Sequence, residues 1–80
     1  MGHVMRVLLI DDHALFRIGL SELLQRRGIE VVAALGDGSE GIQKVVDTQP
    51  DVVLLDMRMP QMTGLDVLRE LKRRRQHMPV

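Results

Sequence analysis

Two runs of this chain, Val4–Ile10 and Val52–Leu55, are apolar almost without interruption, and each ends on acid: Asp11-Asp12 after the first and Asp56 after the second. A run that does not alternate apolar with polar reads as a strand buried on both faces, the pattern of a parallel sheet with helices on either side. In an open α/β sheet of that kind, ligands collect outside the carboxyl ends of adjacent strands. Asp11, Asp12 and Asp56 are therefore expected to converge on one crevice although they are far apart in sequence. Three acids gathered there would make a site for a hard cation, and one that attacks phosphorus would be a phosphate acceptor.

The segments between these strands complete an alternating order of strand and helix. Phe16, Leu20, Leu23 and Leu24 repeat at helical spacing and predict a first helix over roughly 14–26. Arg26-Arg27 ahead of Gly28 mark its end, with cations against the helix dipole and a glycine where a left-handed residue is wanted. Glu30–Leu35 reads as the second strand. Asp37 and Glu40, three apart ahead of Ile42, Val45 and Val46, introduce a short helix that stops before Pro50. After the third strand, Val52–Leu55, Thr63 and Asp66 form another capping pair. Val67, Leu68 and Leu71 continue that helix up to the polar run Arg73-Arg74-Arg75-Gln76-His77. Pro79-Val80 reads as the start of a fourth strand. The reading is three βα units with right-handed crossovers.

Composition narrows the functional classes. With 80 residues, 45% of them apolar, and 11 basic against 11 acidic side chains, the chain is at most one globular domain with no electrostatic case for nucleic acid. The absence of cysteine excludes a disulfide framework and a thiolate metal site, and suits the cytoplasm. No apolar stretch approaches the ~18–20 residues of a membrane span, and no signal-peptide layout is present, so a soluble protein is expected. No repeat, linker or low-complexity segment stands out. Met1-Gly2-His3 reads as an added lead, because Met5 opens the first regular segment equally well.

The segment Leu9-Ile10-Asp11-Asp12-His13, the stretch Leu54-Leu55-Asp56-Met57-Arg58-Met59-Pro60 followed by Gly64, and the closing Met78-Pro79-Val80 together resemble the receiver domain of bacterial two-component response regulators. Asp11 through Leu20 further resembles the LuxR/NarL-type transcriptional branch of that family. The resemblance covers essentially the whole chain. It implies a flavodoxin-like (CheY-like) doubly wound parallel α/β sheet, of which this chain would hold strands in the order 2-1-3. Asp56 matches the acceptor of a phosphoryl group from a sensor histidine kinase, and Asp11, Asp12 and Asp56 match the carboxylates that hold Mg²⁺. The main-chain carbonyl of Arg58 matches a further ligand, with Pro60 and Gly64 setting the loop geometry. Such a domain is not an enzyme in its own right; it accepts the phosphoryl group and assists its own modification.

The resemblance also implies what the chain does not encode. The family's switch Ser/Thr, its phosphate-binding lysine and its aromatic switch residue belong to the fourth and fifth strands and have no counterpart here. Residues 1–80 are thus expected to be the N-terminal part of a receiver domain, poorly phosphorylated alone, with DNA bound only through an output domain of the parent protein. The third strand, central in the family's order, would become an edge. Edges of that kind pair with another chain. A symmetric homodimer is therefore expected, through residues 52–55 or by exchange of the third helix and the C-terminal stub.

Each feature has a plainer reading. An aspartate at a strand end is often only the N-cap of the next helix, although one cap does not need two adjacent acids. Asp56, Pro60 and Gly64 could be ordinary turn residues. His13 reads as a loop side chain rather than a metal ligand or phosphate carrier, since Mg²⁺ prefers oxygen. Arg73–Arg75 reads as a solvated helix end, and Met57, Met59 and Met62 as gap-fillers and loop contacts. Two other functional classes remain: a self-associating receiver-like interaction module with a vestigial site, and a haloacid-dehalogenase-type aspartyl phosphatase. The latter family has a second acid two residues after its nucleophile, where this chain has Arg58.

Overall fold

A computed structural model describes residues 3–80. It contains β1 (Arg6–Ile10), α1 (Ala14–Arg26), β2 (Glu30–Leu35), α2 (Gly38–Thr48), β3 (Val52–Leu55) and α3 (Gly64–Arg73). The strands form one parallel sheet in the order β2-β1-β3. The middle strand is the most deeply covered of the three, and its Val7, Leu8, Leu9 and Ile10 are all buried. The reading of the first three residues as an added lead falls partly on Met1 and Gly2, which lie outside the described residues.

The main core fills one face of the sheet. Leu8 and Ile10 of β1 and Val53 of β3 pack there with Ile42 and Val45 of α2, Val67 and Leu71 of α3, and Met59 from the loop between β3 and α3. Helical spacing explains the choice, because Ile42 with Val45 and Val67 with Leu71 each lie on one stripe. The caps form as the spacing predicts. Asp37 Oδ1 accepts from the backbone N–H groups of Ser39 at 2.7 Å and Glu40 at 3.1 Å. Thr63 and Asp66 close a full capping box at the start of α3. Gly28 has φ +78 just beyond the end of α1, the left-handed position its place after Arg26-Arg27 predicts.

Two expectations need correction, at the start of β1 and at the outer edge of β3. β1 begins at Arg6 rather than Val4, since Val4 and Met5 are exposed; the link there is the Met5 carbonyl, which accepts from Glu30 N–H at 2.9 Å. The apolar stripe of α1 exists but is not covered: no residue of that helix is buried, and Phe16 is 57% exposed. The cause is architectural. α2 and α3 share one face of the sheet, whereas α1 lies against β2 and meets Leu9 and Leu54 across an open groove lined also by Phe16 and Leu20. The outer edge of β3, expected to be bare, is met at one point by the C-terminal stub, where Val53 N–H donates to the Pro79 carbonyl at 2.9 Å. The stub lies where a fourth strand would run without forming one.

Candidate functional site

Parallel pairing brings the acids together. Ile10 of β1 stands opposite Leu55 of β3, so the residues that follow, Asp11 and Asp56, leave the sheet side by side. The Asp56 N–H donates to the Ile10 carbonyl at 2.8 Å, and the Asp11 N–H donates to the Leu35 carbonyl at 2.9 Å, which extends the sheet into the first residues of both loops. One ligand atom each from Asp11, Asp12, His13 and Asp56 lies within 4.8 Å of the others. The three acids are partly buried, and His13 lies over them, 67% exposed.

His13 stands in the loop before α1, as the sequence reading has it, but close over the acids. It occupies the N-cap position of α1, but its side chain makes no capping hydrogen bond. The ring turns back instead, placing Nδ1 at 2.7 Å from Asp11 Oδ1, 3.2 Å from Asp12 Oδ1 and 3.5 Å from Asp56 Oδ2. The His13 backbone N–H also donates to Asp11 Oδ1 at 2.8 Å. A signal was present in the sequence, since histidine is an unusual choice where Ser, Thr, Asp or Asn normally caps. Because the N-cap is His13, the plain reading of Asp12 as a helix cap fails.

The electrostatics follow from this packing. The hydrogen bond to Asp11 raises the His13 pKa above its ordinary value, and the charges of Asp12, Asp11 and, more weakly, Asp56 add to the effect against the opposing influence of burial. For Asp11, burial pushes the pKa up but is outweighed by the His13 backbone and ring hydrogen bonds and by the charges of His13 and Arg17, so it lies below the usual carboxylate range. Arg17, one turn into α1, reaches back to donate from Nη1 to the Asp11 carbonyl and holds the loop from beneath.

On the other side of the crevice, the Arg58 N–H donates to Asp56 Oδ1 at 2.9 Å, which ties the main chain of the β3–α3 loop to the Asp56 carboxylate. Pro60 is exposed and lines a shallow cavity of about 400 Å³ with Asp12, Asp37, Met59 and Met62. Gly64 is buried against the backbone of Asp56 and Met57. All the acids singled out in the sequence therefore meet, with Arg58, Pro60 and Gly64 on the loop that frames them. Two oxygens define the chemistry. Asp12 Oδ1 and Asp56 Oδ2 are shut off from solvent and make no hydrogen bond among the described residues. Carboxylate oxygens shut off from water and left with no closer partner than the His13 ring, at 3.2 and 3.5 Å, are costly, and a cation between them lowers that cost. Hard oxygen donors in this number suit a divalent ion that retains part of its hydration.

A family model described as the response regulator receiver domain matches residues 7–80. The chain belongs to that family. A nitrate/nitrite response regulator protein homolog from Haemophilus influenzae is 45% identical over 73 residues, covering 90% of this chain and 35% of that protein. A protein-glutamate methylesterase/protein-glutamine glutaminase from Archaeoglobus fulgidus is 45% identical over 65 residues, covering 81% of this chain but only 19% of the enzyme. Among solved structures, a DNA-binding response regulator of the LuxR family from Staphylococcus aureus superposes with a TM-score of 0.85 at 28% identity, over 94% of this chain and 63% of that one. The chain thus spans about a third or less of these two curated relatives and under two thirds of the solved regulator. Receiver domains are the signalling domains of two-component response regulators, and the CheY-like order of the sheet here is that of the family. No helix among the described residues is long and apolar enough to cross a membrane.

Proposed function

We propose that Asp56 accepts a phosphoryl group from a sensor histidine kinase, with Mg²⁺ held by Asp11, Asp12, Asp56 and the main-chain carbonyl of Arg58. The observation that carries this reading is the gathering of Asp11, Asp12 and Asp56 with one ligand atom each within 4.8 Å, where Asp12 Oδ1 and Asp56 Oδ2 are shut off from solvent and make no hydrogen bond among the described residues. In the transfer, an oxygen lone pair of Asp56 forms a bond to phosphorus while the bond from phosphorus to the kinase imidazole nitrogen breaks. The departing imidazole, protonated on its other ring nitrogen, keeps the electron pair of the broken bond, so the products are an acyl phosphate and a neutral histidine. When bound, Mg²⁺ offsets the charge of the three carboxylates and of the incoming phosphoryl oxygens, in a reaction where catalysis is mostly positioning and electrostatics. The chain's own contribution is to position the reacting group. The Arg58 N–H orients Asp56, the sheet ladder fixes its spacing from Asp11, and Arg17 fixes the backbone of Asp11.

On this reading residues 1–80 are the N-terminal part of a cytoplasmic receiver domain, and DNA is contacted by an output domain of the parent rather than by these residues. The 11 basic and 11 acidic side chains give no net attraction to nucleic acid. The test is a Mg²⁺ titration followed by amide chemical shifts. Asp12→Asn should weaken Mg²⁺ binding by about tenfold or more, the scale on which metal-site partners act, and Asp56→Asn should also abolish labelling by a small-molecule phosphodonor. Unchanged Mg²⁺ affinity in the Asp12→Asn, Asp56→Asn double variant would reject the site.

A second property, self-association, is favoured by the groove between α1 and β3. This cleft of about 300 Å³ is lined by Leu9, Phe16, Leu20 and Leu54, with Phe16 57% and Leu54 40% exposed. Apolar surface of this kind is buried by association, and an isologous contact between two copies covers it twice. The bond from Val53 to Pro79 of the same chain favours such a face-to-face pair over exchange of the stub. Sedimentation at tens of micromolar should show a dimer that Leu54→Lys converts to monomer. A folded monomer for the unaltered chain under those conditions would remove this proposal.

A further inference from the structure

We propose that His13 is itself a ligand of the cation centre, through Nδ1, and that this nitrogen makes the centre favour late first-row divalent ions such as Co²⁺, Ni²⁺ and Zn²⁺ more strongly than three carboxylates would. The inference rests on the reading that Asp11, Asp12 and Asp56 hold a cation, and it adds a fourth protein donor of different chemistry. The geometry carries it. In an octahedral centre with bonds of about 2.1 Å, neighbouring donors lie about 3 Å apart. His13 Nδ1 stands at 2.7, 3.2 and 3.5 Å from one oxygen each of Asp11, Asp12 and Asp56, spacings that bracket this edge length. Two of those oxygens, Asp12 Oδ1 and Asp56 Oδ2, are the ones without a hydrogen-bond partner. An ion seated among the three acids would therefore meet the imidazole lone pair at the same centre.

Among the described residues, the ring contacts only the acids of this cluster. It caps no backbone group of α1 and is 67% exposed, so neither a helix end nor the core depends on it. Its own main chain is anchored by the bond from His13 N–H to Asp11 Oδ1, which keeps the ring above the acids while leaving the side chain free to exchange an Asp11 proton contact for a metal bond. Imidazole suits Zn²⁺, Ni²⁺ and their neighbours, whereas carboxylate, carbonyl and water suit Mg²⁺. The competing role for His13 is that of a fixed counter-ion which occupies the cation position. The two roles have opposite consequences for binding when the ring is removed.

The experiment compares Co²⁺ and Mg²⁺ binding by calorimetry, and Zn²⁺ binding by ring ¹⁵N chemical shifts, in the full 80-residue chain and its His13→Ala and Asp12→Asn variants. With His13 as ligand, His13→Ala weakens Co²⁺ by about tenfold or more, on the scale of metal-site substitutions, and leaves Mg²⁺ little changed. Zn²⁺ then shifts the Nδ1 resonance of one of the three histidines, and that resonance is missing from His13→Ala. If His13→Ala strengthens both ions equally, the ring is a counter-ion and the inference is overturned; equal Co²⁺ affinity in both proteins overturns it as well. The cation reading beneath it fails separately, if Asp12→Asn alters neither ion, and that result would overturn the ligand role too.

Discussion

Leu8→Ala is expected to leave the chain largely unfolded at room temperature. Leu8 is 0% exposed at the middle of the central strand, paired with Ala33 on one side and Val53 on the other. It belongs to the cluster that joins the sheet to both α2 and α3, with Ile42, Val45, Val67 and Leu71 around it. Truncating a buried leucine in such a position costs about 2–5 kcal/mol, because the neighbours collapse only partly into the space. A core of this size seldom supplies more than ~3–5 kcal/mol in total. The loss is therefore comparable to the whole stability, and far-UV circular dichroism should show a melt shifted by tens of degrees or absent. Leu15→Ala, at a position 87% exposed, is the matched control and should melt as the unaltered chain does. A cooperative melt for Leu8→Ala near that of the control would mean that the core on the α2–α3 side is not what holds the sheet together.

The same cluster explains why so much of the fold could be read in advance. The run before Asp11 is apolar from Val7 onward because Val7, Leu8, Leu9 and Ile10 are buried on both faces of β1, and that pattern points to parallel pairing. The caps at Asp37 and Thr63 are local chemistry, decided by residues three apart, and they form where the spacing places them. The stripe on α1 was legible as a helix but not as a covered one. Periodicity reports which side of a helix is apolar, not whether another element lies opposite. Phe16 and Leu20 of α1 face Leu9 and Leu54 of the sheet across an open groove that leaves Phe16 and Leu54 exposed. Within the site, the acids were legible because two adjacent carboxylates end one strand and a third ends its neighbour, more than helix capping requires. His13 was not, because its place over the acids depends on the angle at which α1 leaves the loop, an angle set partly by Arg17 reaching back to the Asp11 carbonyl. Such contacts depend on side-chain direction, which neither spacing nor composition records.

The second large effect is expected at Gly64, where replacement by alanine should damage the site more than the fold. Gly64 is the first residue of α3 and is buried. A Cβ there would stand 2.7 Å from Met57 Cα and 2.9 Å from the Asp56 carbonyl oxygen, and would also meet Met57 Sδ. The sulfur can swing aside, but the two backbone atoms cannot. Either α3 or the β3–α3 loop must therefore move. The helix is held by its capping box, with Thr63 N–H donating to Asp66 Oδ2 at 3.1 Å and Asp66 N–H donating to Thr63 Oγ1 at 3.2 Å, and by Val67 and Leu71 in the core. The loop from Asp56 to Arg58 has fewer anchors, so it yields. Overpacking of this kind costs about 1–3 kcal/mol in stability. The larger consequence is that Asp56 and the Arg58 main chain shift relative to Asp11 and Asp12, and a misplacement of about 1 Å in a reacting group can cost on the order of a hundredfold in rate. Labelling of Gly64→Ala by a small-molecule phosphodonor should fall on that scale, and the amide resonances of residues 56–58 should move while those of α2 do not. Gly19→Ala separates this effect from a generic glycine effect, because a Cβ at Gly19 meets nothing within 4 Å and the substitution lies inside a helix. There alanine should stabilise by up to about 1 kcal/mol. Were Gly64→Ala to label as fast as Gly19→Ala, the close approach of α3 to the acceptor loop would have no part in shaping the site.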